Sequence, residues 1–347
     1  MNLVRNPHRS AGPLAPEAPY PSIIAERVAA LLEMCPAAAE TSLVDAREIA
    51  PVKSAWVKDE RTRMNLGSFK ALGAAYVIAR HATELSDTPD ATTLTGRTYV
   101  TASAGNHGMS VAAGARIFGA DAVVYVAETV PGIFIDRLRA QGARVIVEGT
   151  DYATSMAGAV SAAEANGWTL LSDSSWEGYT ELPYMLMEGY LQMAVEVTRQ
   201  CLDVPTHILL QAGVGGLAGS VAAYFRSVWG NEPQIIVVEP EAAPALQASI
   251  EAGKAIFADG PDSIMGRLDC KEPSLIALNG LARDANNFLT LSDDVVADCL
   301  PVLAEADLET TPSGGAGLAA IINAEARELL KIGSNARVLG FITEAPQ

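Results

Sequence analysis

Residues 98–167 decide the fold, and they read TYVTAS at 98–103, HGMSVAAGARIFG at 107–119, AVVYVA at 122–127, GIFIDRLRAQG at 132–142, RVIVEG at 144–149 and YATSMAGAVSAAEANG at 152–167. Short runs rich in β-branched residues alternate here with Ala-rich stretches of helical length. This alternation is typical of βαβ units, whose strands lie parallel in one sheet. The sequence therefore predicts an α/β protein.

The same alternation returns in the second half of the chain, as HILLQAG at 207–213, LAGSVAAYFRSVWG at 217–230, QIIVVEP at 234–240 and ARVLGFIT at 336–343. We therefore expect two α/β layers that share a cleft. Ligands of open α/β sheets bind at the carboxyl ends of the strands, where loops leave the sheet. Before these units, a Pro-rich irregular arm is expected to about residue 22, followed by an amphipathic helix over residues 23–33.

Composition limits the partners of the protein. The chain has 347 residues, 49% of them hydrophobic, and a formal net charge of −17. A negatively charged surface repels nucleic acid and anionic lipid, so neither partner is expected. Residues 207–225 contain no Lys, Arg, Asp or Glu, but their glycine cluster favours a strand, a loop and a helix over a membrane span.

The cysteines and the first residues indicate the compartment. Four cysteines are scattered along the chain and form no CxxC pair, which predicts a reduced, cytoplasmic protein without a structural metal site. The first 22 residues carry basic groups but no apolar core of a secretory signal. A cytoplasmic protein is therefore expected.

A lysine stands at one predicted helix start. Gly67-Ser68-Phe69-Lys70 precedes the helix-like run ALGAAYVIAR. A helix N-terminus favours anions, so a lysine is electrostatically unfavourable there. A buried lysine beside positive potential would have a lowered pKa, which suits Schiff-base chemistry. The alternative is an ordinary surface lysine.

Three further loops stand before helix-like runs: TASAGNHG at 101–108, GVGGLAG at 213–219 and TPSGGAG at 311–317. The first two also follow strand-like runs. In the first, backbone N–H groups and the Ser103 hydroxyl suit a carboxylate. In the second, glycines let the backbone approach a phosphate. In the third, the Ser313 hydroxyl is a neutral partner for a ring nitrogen. An ordinary helix cap is the alternative for the first and third loops, and His107 alone predicts a structural hydrogen-bonding group.

The glycine loop also fits a different class of enzyme. Glu239 ends the strand-like run that follows Gly213–Gly219. A glycine loop with an acidic residue about 20 positions further on is typical of dinucleotide binding. An NAD-dependent dehydrogenase is therefore an alternative, although it leaves Lys70 and the 101–108 turn without roles.

In chain order, Ser68-Phe69-Lys70, Ser103-Ala-Gly-Asn-His107, the glycine loop 213–216 and Ser313-Gly-Gly resemble the fold-type-II pyridoxal-phosphate (PLP) enzymes, the group of tryptophan synthase β and threonine dehydratase. The resemblance implies two open parallel-sheet α/β domains with PLP in the cleft between them. It places residues 1–67 and 183–347 in a large PLP-binding domain, with the arm 1–22, and residues 68–182 in a smaller mobile domain. Homodimers are common in this fold type, so one is expected here.

A narrower resemblance rests on NLGSFKALG at 65–73, DSSWEGY at 173–179 with Pro183, MEGY at 187–190, SIM at 263–265 and EPS at 272–274. These motifs are similar to those of the diaminopropionate ammonia-lyases, which convert 2,3-diaminopropionate to pyruvate and ammonia. The implied reaction is PLP-dependent α,β-elimination from a small amino acid.

The resemblance assigns a role to each matching residue. Lys70 and Asp173 would be catalytic, with Lys70 joined to PLP as a Schiff base and Asp173 acting as an acid/base carboxylate. The cofactor-binding set would be Lys70, Phe69, Asn106 at the phenolic oxygen, Gly213, Val214, Gly215, Gly216 and Leu217 around the phosphate, and Ser313 at the pyridine nitrogen. The loop for the substrate carboxylate would contain Ser103, Ala104 and His107.

Ala104 departs from the pattern of the family. Family lyases that accept both stereoisomers carry Asp immediately before Gly-Asn-His, whereas this chain has Ala104 and keeps Asp173. Activity on both enantiomers is therefore in question. Ala104 resembles the small residue of dehydratases, so a serine, threonine or 3-hydroxyaspartate dehydratase is an alternative. A β-replacement synthase on the same fold is another.

Overall fold

The computed structural model describes residues 1–9, 11–35 and 37–346. Its strands are β1 (Asn2–Arg5), β2 (Leu43–Asp45), β3 (Ser54–Asp59), β4 (Thr98–Ala102), β5 (Asp121–Val126), β6 (Arg144–Val147), β7 (Thr169–Leu170), β8 (His207–Gln211), β9 (Gln234–Pro240), β10 (Asn287–Leu291) and β11 (Arg337–Ile342). Its helices are α1 (Glu26–Leu32), α2 (Lys70–Thr83), α3 (Asn106–Ile117), α4 (Gly132–Ala140), α5 (Tyr152–Asn166), α6 (Glu181–Gly189), α7 (Leu191–Gln200), α8 (Gly216–Trp229), α9 (Ala245–Ala252), α10 (Leu275–Asp284), α11 (Asp293–Glu305), α12 (Pro312–Ile322) and α13 (Ala324–Leu330). None of these helices is both long and apolar enough to cross a membrane.

The larger sheet has seven strands in the order β1-β10-β9-β8-β11-β3-β2. Its five central strands pair in parallel, and only the edge strands β1 and β2 pair antiparallel. Strand β9 is buried from its second residue to its end. Helices cover both faces of such a sheet, so its strands read as continuous apolar runs and show no alternation.

The smaller sheet is entirely parallel, in the order β6-β5-β4-β7. Successive side chains of a strand point to opposite faces. Val124 of β5 accordingly packs in one core cluster with Val111 of α3, while Val123 packs in another with Ala159 of α5. Helices therefore lie on both faces of this sheet as well, and the prediction of an α/β fold with parallel sheets is confirmed.

The first 33 residues differ from the prediction. Residues 2–5 form β1, which pairs with β10, rather than part of an irregular arm. Asn6 then donates its side-chain amide to the carbonyls of Leu281, Ala282 and Ala285, at 3.2, 2.9 and 2.7 Å. The first helix begins only at Glu26 and ends at Leu32, shorter than the predicted span of 23–33. Strand β1 is missed because its four residues form a strand only by pairing with β10, some 285 positions further along the chain, and such long-range pairing leaves no pattern in the local sequence.

Candidate active site

Lys70 is the first residue of α2, and its helix start is attached to the end of β11. The Phe69 N–H donates to the carbonyl of Thr343 at 3.1 Å. From this position the Lys70 ammonium forms an ion pair with the Asp173 carboxylate. The two side chains are 23% and 19% exposed, so the pair is partly accessible to solvent.

Each member of the pair holds the other in its charged form. Burial lowers the pKa of Lys70, but the Asp173 carboxylate outweighs burial and the net pKa is raised. Burial likewise raises the pKa of Asp173, and Lys70 reverses this, so that pKa falls below its ordinary value. The condition for a lowered Lys70 pKa, a positive potential beside the buried amine, is not met, because the nearest charge is a carboxylate and not a cation.

The predicted carboxylate loop connects β4 to α3. Ser103 Oγ accepts from the Gly105 N–H at 3.3 Å, and Ala104 is half-buried. His107 contacts the Leu171 carbonyl through Nε2 at 2.8 Å, and burial lowers its pKa, so the ring is neutral. His107 thus ties this loop to the segment that carries Asp173, in agreement with a structural role.

The glycine loop connects β8 to α8 and fits a phosphate. Gly215 has φ +97°, a left-handed conformation that favours glycine. A Cβ added at Gly213 would lie 2.9 Å from Cys270 Sγ and 3.1 Å from the Leu268 Cα. The loop therefore packs too tightly against residues 267–270 for a side chain at Gly213, and the first N–H groups of α8, which have no acceptor within the helix, can bind a phosphate.

Ser313 lies in the first turn of α12 and does not cap it. Thr311 is the cap, since its hydroxyl accepts from the Gly314 N–H at 3.0 Å. The Ser313 oxygen accepts from the Arg267 N–H at 3.1 Å. Its own proton is consequently available for an acceptor such as an unprotonated pyridine nitrogen.

Two residues that sequence reasoning missed join these loops. The Glu344 carboxylate, 3% exposed, accepts from the Asn106 amide, from the Thr311 hydroxyl and from Arg267 Nη1, the last at 2.7 Å. Arg267 Nε would lie 3.6 Å from a Cβ at Gly105. Glu344 follows β11 at a carboxyl strand end, which was a usable signal. Arg267 lies in an irregular segment and gave none.

The cleft thus combines a lysine beside a carboxylate, a glycine cradle at a helix N-terminus and a buried serine with a free proton. These groups fit an aldehyde cofactor that carries a phosphate and a ring nitrogen, and in this α/β fold they define a PLP enzyme of fold type II. The family of pyridoxal-phosphate dependent enzymes matches residues 34–344.

Three comparisons with known proteins narrow the family. The diaminopropionate ammonia-lyase of Escherichia coli K12 is 34% identical over 277 residues, which cover 76% of this chain and 69% of that protein. The crystal structure of the E. coli enzyme with an aminoacrylate-PLP azomethine intermediate matches with a TM-score of 0.87 and 29% identity, over 99% of this chain and 93% of that chain. An L-threonine ammonia-lyase of Thermotoga maritima is 27% identical, over 74% of this chain and 60% of that protein.

The chain therefore belongs to the diaminopropionate ammonia-lyase family of PLP-dependent enzymes. The predictions of a PLP cofactor and of a lyase that carries out α,β-elimination are confirmed.

The alternative of an NAD-dependent dehydrogenase is wrong. Glu239 is fully buried and accepts hydrogen bonds from the N–H groups of Leu246 and Gln247, both at 2.8 Å, so its carboxylate stabilises the start of α9. Burial, opposed by these two bonds, raises its pKa to about 8.

Proposed function

We propose that this enzyme converts 2,3-diaminopropionate to pyruvate and ammonia, with Lys70 and Asp173 as its catalytic residues. The observation that carries the proposal is the Lys70–Asp173 ion pair at the cleft that also contains the glycine loop. The E. coli relative, whose name states this activity, supports the choice of substrate.

PLP, when bound, supplies the electron sink that stabilises negative charge at the substrate Cα. Lys70 would hold the cofactor covalently, and as a free amine it would accept the Cα proton at Nζ. Asp173 is anionic in the resting pair because Lys70 lowers its pKa. The proton that Lys70 has accepted can pass by way of Asp173 to the departing amine, which is a stronger base than this carboxylate and leaves as ammonia.

The remaining site residues would bind and orient the cofactor and the substrate. The phosphate would be bound by Gly213, Val214, Gly215, Gly216 and Leu217. The phenolic oxygen would be bound by Asn106 and the ring nitrogen by Ser313, and the substrate carboxylate would be received by the loop with Ser103, Ala104 and His107. Phe69 supports the lysine, since Lys70 Nζ lies 5.1 Å from the centroid of its ring. A hydroxyl at the ring nitrogen favours elimination over transamination because the nitrogen stays unprotonated.

The proposal extends to the organisation of the protein. Residues 68–182 form the smaller domain and move against residues 1–67 and 183–347. The small parallel sheet lies within the first range, while the glycine loop and Ser313 come from the second. A homodimer in the cytoplasm completes the proposal, and four free thiols agree with a reducing compartment. Sedimentation equilibrium of the PLP-loaded protein tests the dimer.

Ala104 supports a second candidate, a dehydratase of a hydroxyamino acid. The cleft keeps one acid/base carboxylate, Asp173, so one enantiomer of the substrate is expected to react. The deciding experiment assays D- and L-diaminopropionate, serine, threonine and 3-hydroxyaspartate for oxo-acid release, with Lys70→Ala as the blank. Oxo acid from diaminopropionate supports the ammonia-lyase. Release from hydroxyamino acids alone supports the dehydratase, and product only with an added nucleophile supports a β-replacement synthase.

A further inference from the structure

Tyr190 is a buried tyrosine beside Lys70 to which neither the motifs nor the proposed mechanism gives a role. It follows α6, and its side chain is fully buried. Its ring meets the Phe69 ring edge-on at 4.9 Å between centroids. Lys70 Nζ lies 5.9 Å from the Tyr190 centroid, so the phenol borders the same space as the Lys70–Asp173 pair.

The hydroxyl of Tyr190 makes no hydrogen bond of standard geometry within residues 1–9, 11–35 and 37–346, although the Lys70 amine is close enough to oppose the rise in its pKa. Buried polar groups are nearly always paired, and an exception calls for an explanation. Packing alone would be served by phenylalanine, since the contacts with Phe69 and with the glycines of α2 and α8 involve the ring. An unpaired hydroxyl next to the reactive lysine indicates a partner that is acquired during the reaction.

The N–H groups of the Lys70 amine indicate what that partner is. A neutral amine that accepts a proton from Cα must direct its lone pair at that hydrogen, and two N–H groups remain. The Asp173 carboxylate can accept one of them. The phenol oxygen can accept the other, and burial, opposed by Lys70, raises the pKa of Tyr190, so the phenol stays neutral.

We propose that Tyr190 is a positioning residue for Lys70: its phenolic oxygen accepts one N–H of the neutral amine while Asp173 accepts the other, and the lone pair is thereby directed at the substrate Cα. The inference rests on the proposed role of Lys70 as the base. It assigns a function to the MEGY segment at 187–190.

The test compares Tyr190→Phe with Tyr76→Phe in the PLP-loaded enzyme. Tyr76 is the matched control, because its hydroxyl is also buried but already has a partner, the Glu188 carboxylate, to which it donates at 3.0 Å. Tyr190→Phe should load PLP normally and keep KM. Its kcat should fall about tenfold, the effect of one lost hydrogen bond of ordinary strength. With substrate deuterated at Cα, the isotope effect on kcat should rise.

The pH profile separates positioning from packing. An acceptor stabilises the charged ammonium more than the neutral amine, so its removal should move the acid limb of the kcat profile to lower pH. Tyr76→Phe should change neither the limb nor the isotope effect. If Tyr190→Phe does not fold, 3-fluorotyrosine at position 190 keeps the packing and weakens the acceptor, and the same shift is expected.

If the unsubstituted enzyme is active and Tyr190→Phe changes neither the acid limb of the kcat profile nor the isotope effect, the positioning role of Tyr190 is refuted. The proposed function of the enzyme is unaffected by that result. If the unsubstituted enzyme releases no oxo acid from any amino acid of the panel, the proposed function fails instead. The two failures are thus distinct.

Discussion

Replacement of Asp173 by Asn tests the centre of the site, because it removes one charge and preserves the shape of the side chain. In the unsubstituted protein the pKa of Asp173 lies below its ordinary value and that of Lys70 above. The pair therefore stabilises the fold from above about pH 4 to below about pH 10. This stability is lost as pH falls through the lowered pKa of Asp173 or rises through the raised pKa of Lys70.

The loss of stability expected for Asp173→Asn follows from the partial exposure of the Lys70–Asp173 pair. Breaking a fully buried pair costs about 3–5 kcal/mol and an exposed one under about 1 kcal/mol. With side chains 23% and 19% exposed, we expect protein stripped of PLP, in which the Lys70 amine is free, to lose about 2 kcal/mol, or about 3 °C in Tm for a chain of this length. Without Asp173, burial lowers the pKa of Lys70, and loss of its proton limits the cost.

Turnover should fall much further than stability. Loss of a general acid/base group typically costs about 100-fold or more in kcat. Pyruvate release from diaminopropionate measures this, and the visible absorbance of the PLP-bound protein checks that the cofactor is still held by Lys70. We expect normal cofactor binding with kcat reduced about 100-fold.

Asp59→Asn is the matched control, since Asp59 pairs with Arg61 at 2.7 Å with similar exposures of 14% and 21%. It should lose comparable stability and retain turnover. An Asp173→Asn enzyme with kcat within about twofold of the unsubstituted enzyme would refute the role of Asp173. Equal losses of turnover in Asp173→Asn and Asp59→Asn would mean that Asp173 affects turnover only through the stability of the fold.

Three further substitutions test the cofactor site. Lys70→Ala should abolish the visible absorbance of the PLP-loaded protein, and a retained band would place the Schiff base elsewhere. Gly213→Ala should weaken PLP binding, because the new Cβ would lie 2.9 Å from Cys270 Sγ, whereas Gly132→Ala, with no atom within 4 Å of its Cβ, should bind PLP normally in the same titration. Ser313→Ala should raise the Kd for PLP about tenfold through the loss of one hydrogen bond, and an unchanged Kd would remove Ser313 from the ring nitrogen.

Much of the site was readable from the sequence because its residues stand at the ends of strands. The alternation in residues 98–167 predicted three parallel strands with intervening helices, and the glycine loop was placed correctly between β8 and α8. Glu344 occupies an equivalent position after β11 and was missed, although its place at a carboxyl strand end was a usable signal.

What the sequence by itself determined is the set of local features: apolar periodicity, glycines where the backbone turns, and the order of four loops that marks the PLP fold. The tertiary structure alone decided which side chains meet. Lys70 and Asp173 are 103 positions apart, and Arg267 and Glu344 are 77 apart. The sign of a pKa shift depends on such neighbours and falls steeply with distance. The sequence therefore singled out Lys70 as a candidate Schiff-base residue, but it could not give the direction of its pKa shift, because Asp173, the carboxylate that sets that direction, reaches it only through the fold.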